Sequence, residues 1–290
     1  MTIWKTYYLA QSVPDALSVL ANTPGDARLV AGGTDLLLDL QQGRHAPLDT
    51  LVDITQIPEM CRLELQQDGL FIGAALPLNQ VVASPLVRQH AQALYDAAGL
   101  IGGPQVRNTA TLGGNVAHAL PAADGTIALL ALDAQAEVAS LSGTCRLPLG
   151  DLFRGPGKSA LDPRRDLLVG FHLPLRQPGQ ASAFRRVMRP QGVAIAILNM
   201  AIWLERAAGR IADIRISIGP AGPVPLRARG AEAELRGHSP DQPTIDRAVE
   251  ALLAETRFRT SPHRSTAAYR RHTAAVLLKE VLEIAFQRAA

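Results

Sequence analysis

Two glycine pairs set among small polar side chains are the residues whose types and spacing could do chemistry. They are Ala31-Gly-Gly-Thr-Asp35 and Thr111-Leu-Gly-Gly-Asn115. Glycine has no Cβ, so its backbone can take positive φ and come close to a ligand. Successive N–H groups in such a bend can point at one anion. Thr34, Asp35, Thr111 and Asn115 add hydroxyl, carboxylate or amide partners for phosphate or ribose oxygens. Two such bends could grip one pyrophosphate from two sides. The same residues also read as ordinary tight turns. Neither bend fits the G-x-G-x-x-G fingerprint or the P-loop, which argues against a Rossmann site.

Other candidates carry less. Arg107 could neutralise a phosphate or brace its own loop, and Asp35 could accept from its own turn amides as readily as touch a ligand. His118 follows the second bend and reads as structural or solvent-facing. The other histidines show no metal-ligand spacing. Cys61 and Cys145 are far apart in sequence and read as buried free thiols. Two thiolates are too few for an iron–sulfur cluster. Arg264, Arg270 and Arg271 read as a solvated helix face. No side-chain nucleophile or general base is expected.

The elements that must position the glycine bends follow from periodicity. Ser12-Val-Pro-Asp15 opens a helix, with Val13, Leu17 and Leu20 on one face. Arg28–Ala31 reads as a strand feeding the first bend, followed by a Leu-rich helix ending at Gly43. Leu51–Ile54 and Leu70–Gly73 read as further strands. Ser84-Pro85 opens a helix striped by Val87, Ala91, Leu94 and Ala98, and a second glycine turn falls at Leu112–Asn115. An apolar, helix-like run spans Ile127–Leu132. Composition shifts at Pro174–Gly179, the expected domain boundary. Beyond it, Val193–Leu204 and Ile211–Ile218 read as strands joined by a turn at Glu205–Arg210. The tail from Ser265 reads as a helix with Tyr269, Val276 and Ile284 inside. An α+β chain of two parts is implied.

Composition bounds the function. The 290 residues, 47% apolar and 19% charged, suit a globular protein of two domains. Only 4% are aromatic and the net charge is +3 without a dense basic run, so nucleic-acid binding is disfavoured. The start of the chain lacks the apolar core of a signal peptide. The longest apolar stretch, Gly192–Leu204, holds Asn199 and is too short to span a bilayer. A cytoplasmic setting with no membrane span is the expectation.

The wider context of the bends resembles a known family. Val30-Ala-Gly-Gly-Thr-Asp-Leu-Leu37 resembles the first flavin loop of the FAD subunits of molybdenum hydroxylases, the xanthine dehydrogenase and carbon monoxide dehydrogenase family. Ile101-Gly-Gly-Pro-Gln-Val-Arg-Asn-Thr-Ala-Thr-Leu-Gly-Gly-Asn115 is similar to that family's second flavin loop, almost residue for residue. Pro121-Ala-Ala-Asp124 and Gly155-Pro-Gly-Lys158 with Leu161 match further segments. Phe184, Met188-Arg189, Ile218-Gly219 and Pro225-Leu-Arg227 extend the resemblance more loosely.

The resemblance implies an FAD-binding fold of the vanillyl-alcohol oxidase and p-cresol methylhydroxylase type. Two α/β subdomains, about 1–55 and 56–176, would hold FAD, and a C-terminal α+β domain, 177–290, would cover its isoalloxazine. It places Leu29, Val30, Ala31, Gly32, Gly33, Thr34, Asp35 and Leu36 at the FAD pyrophosphate, with Arg107, Asn108, Thr111, Leu112, Gly113, Gly114 and Asn115 opposite. Asp124 would bond the ribityl–pyrophosphate region, and Leu167 or Leu168 would lie near the adenine or the ring. Arg185 stands where the family usually has a lysine near the flavin, Val193 where it often has aspartate, and Pro77 where it often has threonine.

The function so implied is electron transfer within an oxidoreductase. A molybdopterin-binding large subunit would oxidise substrate, and a small subunit with [2Fe–2S] clusters would pass electrons to FAD. NAD+, O2 or a quinone would receive them, in an assembly that is a dimer of heterotrimers. A free-standing flavin-dependent reductase of the same fold, or a non-catalytic assembly module that has lost FAD, are the alternatives.

Overall fold

The computed structural model describes residues 3–190 and 194–290. Its first part is β1 (Trp4–Leu9), α1 (Val13–Asn22), β2 (Ala27–Val30), α2 (Leu36–Gln41) and β3 (Leu48–Asp53), whose strands form a parallel sheet in the order β1-β3-β2. Ser12 caps α1, its side chain accepting from the Asp15 amide at 3.2 Å, and Pro14 occupies the first turn.

A second layer follows: β4 (Leu63–Gln66), β5 (Gly69–Gly73), α3 (Leu78–Ala83), α4 (Pro85–His90), α5 (Gln92–Ala98), α6 (Pro104–Arg107), α7 (Leu112–Ala117), α8 (Asp124–Ala131), β6 (Gln135–Ser140), β7 (Gly143–Pro148), β8 (Phe153–Gly155), β9 (Lys158–Ser159) and β10 (Leu167–Leu173). Five of these strands make an antiparallel sheet in the order β4-β5-β10-β6-β7. β10 is central and buried at every residue; its one polar member, His172, is accommodated by a 2.6 Å hydrogen bond to the Glu137 carboxylate of β6.

After an irregular link come β11 (Gln180–Val187), β12 (Leu198–Ala207), β13 (Arg210–Gly219), β14 (Leu226–Arg227), α9 (Arg229–Leu235), α10 (Gln242–Glu255) and α11 (Ala267–Arg288). The strands pair antiparallel in sequence order, and α9 to α11 accompany them. The β12–β13 hairpin turns on Ala208 and Gly209, both at positive φ, so its loop is tighter than the expected Glu205–Arg210. α8 is buried along its whole length and packs on both α5 and the β12–β13 hairpin, tying the two parts of the chain together. Its apolar residues from Ile127 to Ala131 leave it no solvent face, and its polar start at Asp124 and Thr126 is enclosed as well.

Several expectations are corrected. The helix opened by Ser84-Pro85 breaks at Ala91 into α4 and α5; the Ala93 amide then donates to the Ser182 hydroxyl of β11 at 3.0 Å, so the break serves the contact between the two parts. The inner face of α11 is not Tyr269 and Val276, which are about half exposed, but Thr273, Ala274, Leu277, Leu278, Val281 and Leu282. Arg270 is buried rather than solvated. Cys145 is exposed on the edge strand β7 and Cys61 is half-buried, so neither is a core thiol. β12 begins at Leu198; Val193 lies outside the described residues. No helix among the described residues is long and apolar enough to cross a membrane.

Candidate cofactor-binding site

The two glycine bends meet at one cleft. A cavity of about 1260 Å³ opens between the N-terminal layers and the C-terminal domain, and both bends line it. That exceeds the roughly 300–1,000 Å³ usual for small-ligand pockets. Every residue from Leu29 to Leu36 borders it, with Thr111, Gly113, Gly114, Asn115, Asp124, Leu167 and Leu168.

The glycines divide the work. Gly33 sits at φ +65°, the left-handed conformation that turns β2 into α2. Gly32 has an ordinary φ, but a Cβ there would fall 2.7 Å from the Ala110 Cα, so its bareness lets the segment leading into the second bend lie against the first. Gly113 is packed on Ala74, whose carbonyl accepts its amide at 2.9 Å. Gly114 meets only the Thr111 hydroxyl, at 3.2 Å from a built Cβ, and opens on the cleft.

The second bend is not a free turn but the start of α7. Thr111 caps that helix, its hydroxyl accepting the Gly114 amide at 3.0 Å, and the Asn115 amide donates to the Thr111 carbonyl. Its amides are therefore already engaged. Among the described residues, the amides of Gly32, Gly33, Thr34 and Asp35 find no protein acceptor. The amide grip comes from one side, and the second bend supplies a close-fitting floor. The Asn115 side chain accepts the Thr126 amide at 3.3 Å, which anchors α7 on α8.

Four expected residues do other work. Arg107 donates to the carbonyls of Ile101 and Gly102 at 3.1 and 2.8 Å, so it braces its loop. Asn108 accepts from Asn79, and Leu112 is a fully buried core residue. Arg185, expected beside the flavin, pairs instead with Glu280 of α11 at 3.2 Å and does not border the cleft. Its neighbour Arg186 does. Consecutive residues of a strand face opposite sides, so an expectation one residue out of register points to the wrong face. Pro77 pairs with Thr111 in a single antiparallel bridge beside the second bend without reaching the cleft.

Arg186 belongs to a buried cluster that sequence reasoning missed. Its guanidinium bonds the Asp124 carboxylate at 2.5 Å, both side chains being almost wholly enclosed. The Asn199 amide donates to the other Asp124 oxygen and to the Ala122 carbonyl. Burial pushes the Asp124 carboxyl up, against the opposing pull of Arg186 and Asn199. Asp124 comes from α8, Arg186 and Asn199 from β11 and β12, so the cluster joins the two domains at the cleft. The Nε of Arg186 has no acceptor. His118 also borders the cleft.

These features fit an extended dinucleotide: free amides for a diphosphate, a bare Cα for close approach and an unspent buried donor. They define the chain as a flavoprotein in which one cleft is shared between an FAD-binding part and a C-terminal α+β domain. Residues 3–176 match the model of the FAD binding domain in molybdopterin dehydrogenase, and residues 182–285 match the CO dehydrogenase flavoprotein C-terminal domain. The chain belongs to the family of FAD-binding subunits of molybdenum hydroxylases. It is 32% identical over 292 residues to the xanthine dehydrogenase FAD-binding subunit of Escherichia coli O157:H7, covering 98% of this chain and 97% of that one. A solved carbon monoxide dehydrogenase from Hydrogenophaga pseudoflava, lacking the Mo-pyranopterin moiety of its cofactor, contains a chain that superposes with a TM-score of 0.93 at 29% identity, covering 98% of each. Quinoline 2-oxidoreductase from Pseudomonas putida 86 gives 0.90 at 26% identity, covering 98% of this chain and 97% of that one.

Proposed function

We propose that this chain is the electron-transferring FAD subunit of a heteromeric molybdenum hydroxylase. A molybdopterin-binding large subunit oxidises the substrate, and a small subunit carrying [2Fe–2S] clusters delivers the electrons, in a cytoplasmic assembly built as a dimer of heterotrimers. FAD supplies the step from one-electron to two-electron transfer, with NAD+, O2 or a quinone as the final acceptor. The observation that carries the reading is the meeting of the two glycine bends at one interdomain cleft, with Gly32 packed on the Thr109–Ala110 segment that leads into the second.

Within it, residues 1–176 hold FAD and residues 177–290 close over it. The amides of Gly32 to Asp35 take the diphosphate, with Leu29, Val30, Ala31 and Leu36 flanking them. Gly114 lets the nucleotide lie close to α7, while Thr111, Gly113 and Asn115 shape that floor. Asp124 and Arg186 present charge from both domains, and Leu167 and Leu168 line the apolar wall. This chain orients the cofactor and excludes water around it; the proton and bond chemistry of the substrate lies in the partner.

Expression of the chain alone tests the reading. A yellow protein with a flavin absorption band is expected, and co-expression should recover an iron–sulfur and a molybdenum subunit with it. Turnover of a hydroxylase substrate by the isolated chain would overturn the assignment.

A further inference from the structure

The wall of the cleft contributed by the C-terminal domain carries Arg257, Arg259, Arg264 and Arg270, and among the described residues none of them is paired with a carboxylate. The acids that line the cleft, Asp35, Asp124 and Asp166, all belong to the FAD-binding part. Asp124 is engaged by Arg186, and Asp166 accepts the Asp162 amide at 2.8 Å.

Arg270 is the unusual member. Its side chain is buried, one nitrogen donates to the Ile197 carbonyl, and its Nε has no acceptor. Arg259, Arg264 and Arg270 all line the same cleft, and burial, then the charges of Arg264 and Arg259, pull Arg270 below its ordinary value. Arg270 stands on α11, and the loop that holds Arg259 and Arg264 is braced against the start of that helix. Ser261 and Ser265 exchange backbone bonds at 2.9 and 3.1 Å, the Arg264 amide donates to Ser261, and the Ala267 amide donates to the Thr260 hydroxyl at 3.1 Å. Like charges fixed together in a partly enclosed space are costly unless an anion neutralises them. Planar guanidinium forks match phosphate oxygens better than any other side chain.

The flavin diphosphate has its own place at the free amides of Gly32 to Asp35, contributed by the other domain. We infer that Arg259, Arg264 and Arg270 form a second phosphate site, for a small soluble phosphorylated molecule that enters the cleft beside bound FAD. The inference rests on the flavin reading above, which fixes where the first diphosphate goes.

The test uses the FAD-loaded chain and inorganic pyrophosphate as the probe, followed by titration calorimetry. The Arg259→Gln/Arg264→Gln double variant should retain FAD at the wild-type level and bind pyrophosphate at least tenfold more weakly. Arg270→Lys, which keeps the charge but not the fork, should weaken it less. Equal pyrophosphate binding by wild type and double variant, or none by either, overturns the inference. So does binding seen only without FAD and reversed by adding it, since the arginines would then serve the flavin's own diphosphate. A wild-type chain that takes up no FAD would instead sink the flavin reading, while the same titration still reports on the arginines.

Discussion

Gly32 lies against Thr109 so closely that a Cβ on it would fall 2.7 Å from the Thr109 carbonyl carbon. This contact seats the first bend on the segment that leads into the second, nearly eighty residues further along the sequence. A methyl group there must push that segment away. Gly32→Ala is expected to cost about 1–3 kcal/mol of stability, the usual range for overpacking, and to lose FAD. Thermal melting and flavin absorbance check both; an alanine variant with normal melting and full flavin content would show that this contact is not needed.

Gly114 predicts the opposite split between folding and binding. It lies in α7 with no positive φ, and its only close neighbour is the Thr111 hydroxyl. A valine there meets the cleft rather than the protein. Gly114→Val should therefore stay within about 1 kcal/mol of wild type, because glycine is itself a poor helix residue, yet fail to retain FAD. Normal flavin content in this variant would place the cofactor elsewhere.

What was legible in the sequence was local. The glycine pairs, the Ser12 cap and the β12–β13 hairpin depend on neighbours within a few residues, and the glycine pattern led directly to the cleft. What escaped depends on distant partners. The second bend could not be read as a helix start without seeing Thr111 cap Gly114. The face of α11 was missed because Arg270 and Thr273 line its buried side while Tyr269 and Val276 face solvent, an inversion of hydropathy that only the packing explains. The Asp124–Arg186–Asn199 cluster joins residues more than sixty positions apart. Asp124 was legible only through the family resemblance, and Asn199 only as the polar residue within the apolar stretch that ends at Leu204.

Arg185 and Arg186 form a matched pair for mutation, adjacent in sequence and on opposite faces of β11. Arg185 and Glu280 are each more than two-fifths exposed, so Arg185→Ala should cost less than about 1 kcal/mol and leave FAD affinity unchanged. Arg186→Met removes the unspent Nε and strands the Asp124 carboxylate. FAD affinity should fall about tenfold or more, the worth of one charge-assisted hydrogen bond. Fluorescence titration with FAD measures both; a larger loss from Arg185 than from Arg186 would restore the expectation drawn from sequence.

Asp124 gives a pH test with a definite sign. Burial holds its carboxyl above the usual carboxylate range, so the folded protein binds that proton more tightly than the unfolded chain does. Such a proton stabilises the fold fully below the unfolded carboxylate range, about pH 4. The contribution is lost as pH rises through the higher range of the folded group. Asp124→Asn has no proton to lose there. Its melting temperature relative to wild type should climb between about pH 4 and pH 8; a flat or falling difference would mean that attraction to Arg186 outweighs desolvation.

The two thiols should separate by rate. Cys145 lies exposed on the edge strand β7, whereas Cys61 is half-buried, donates to the Thr55 carbonyl at 3.4 Å, and has its thiol pushed up by burial and by Glu59. The thiolate is the reactive form, so raising a thiol's pKa and covering it both slow attack. With a chromogenic disulfide near pH 8, one thiol per chain should react quickly and the other slowly, and Cys145→Ser should remove the fast phase. Loss of the slow phase in that variant would mean that Cys61 is the accessible thiol and that the edge of the five-stranded sheet is covered in solution.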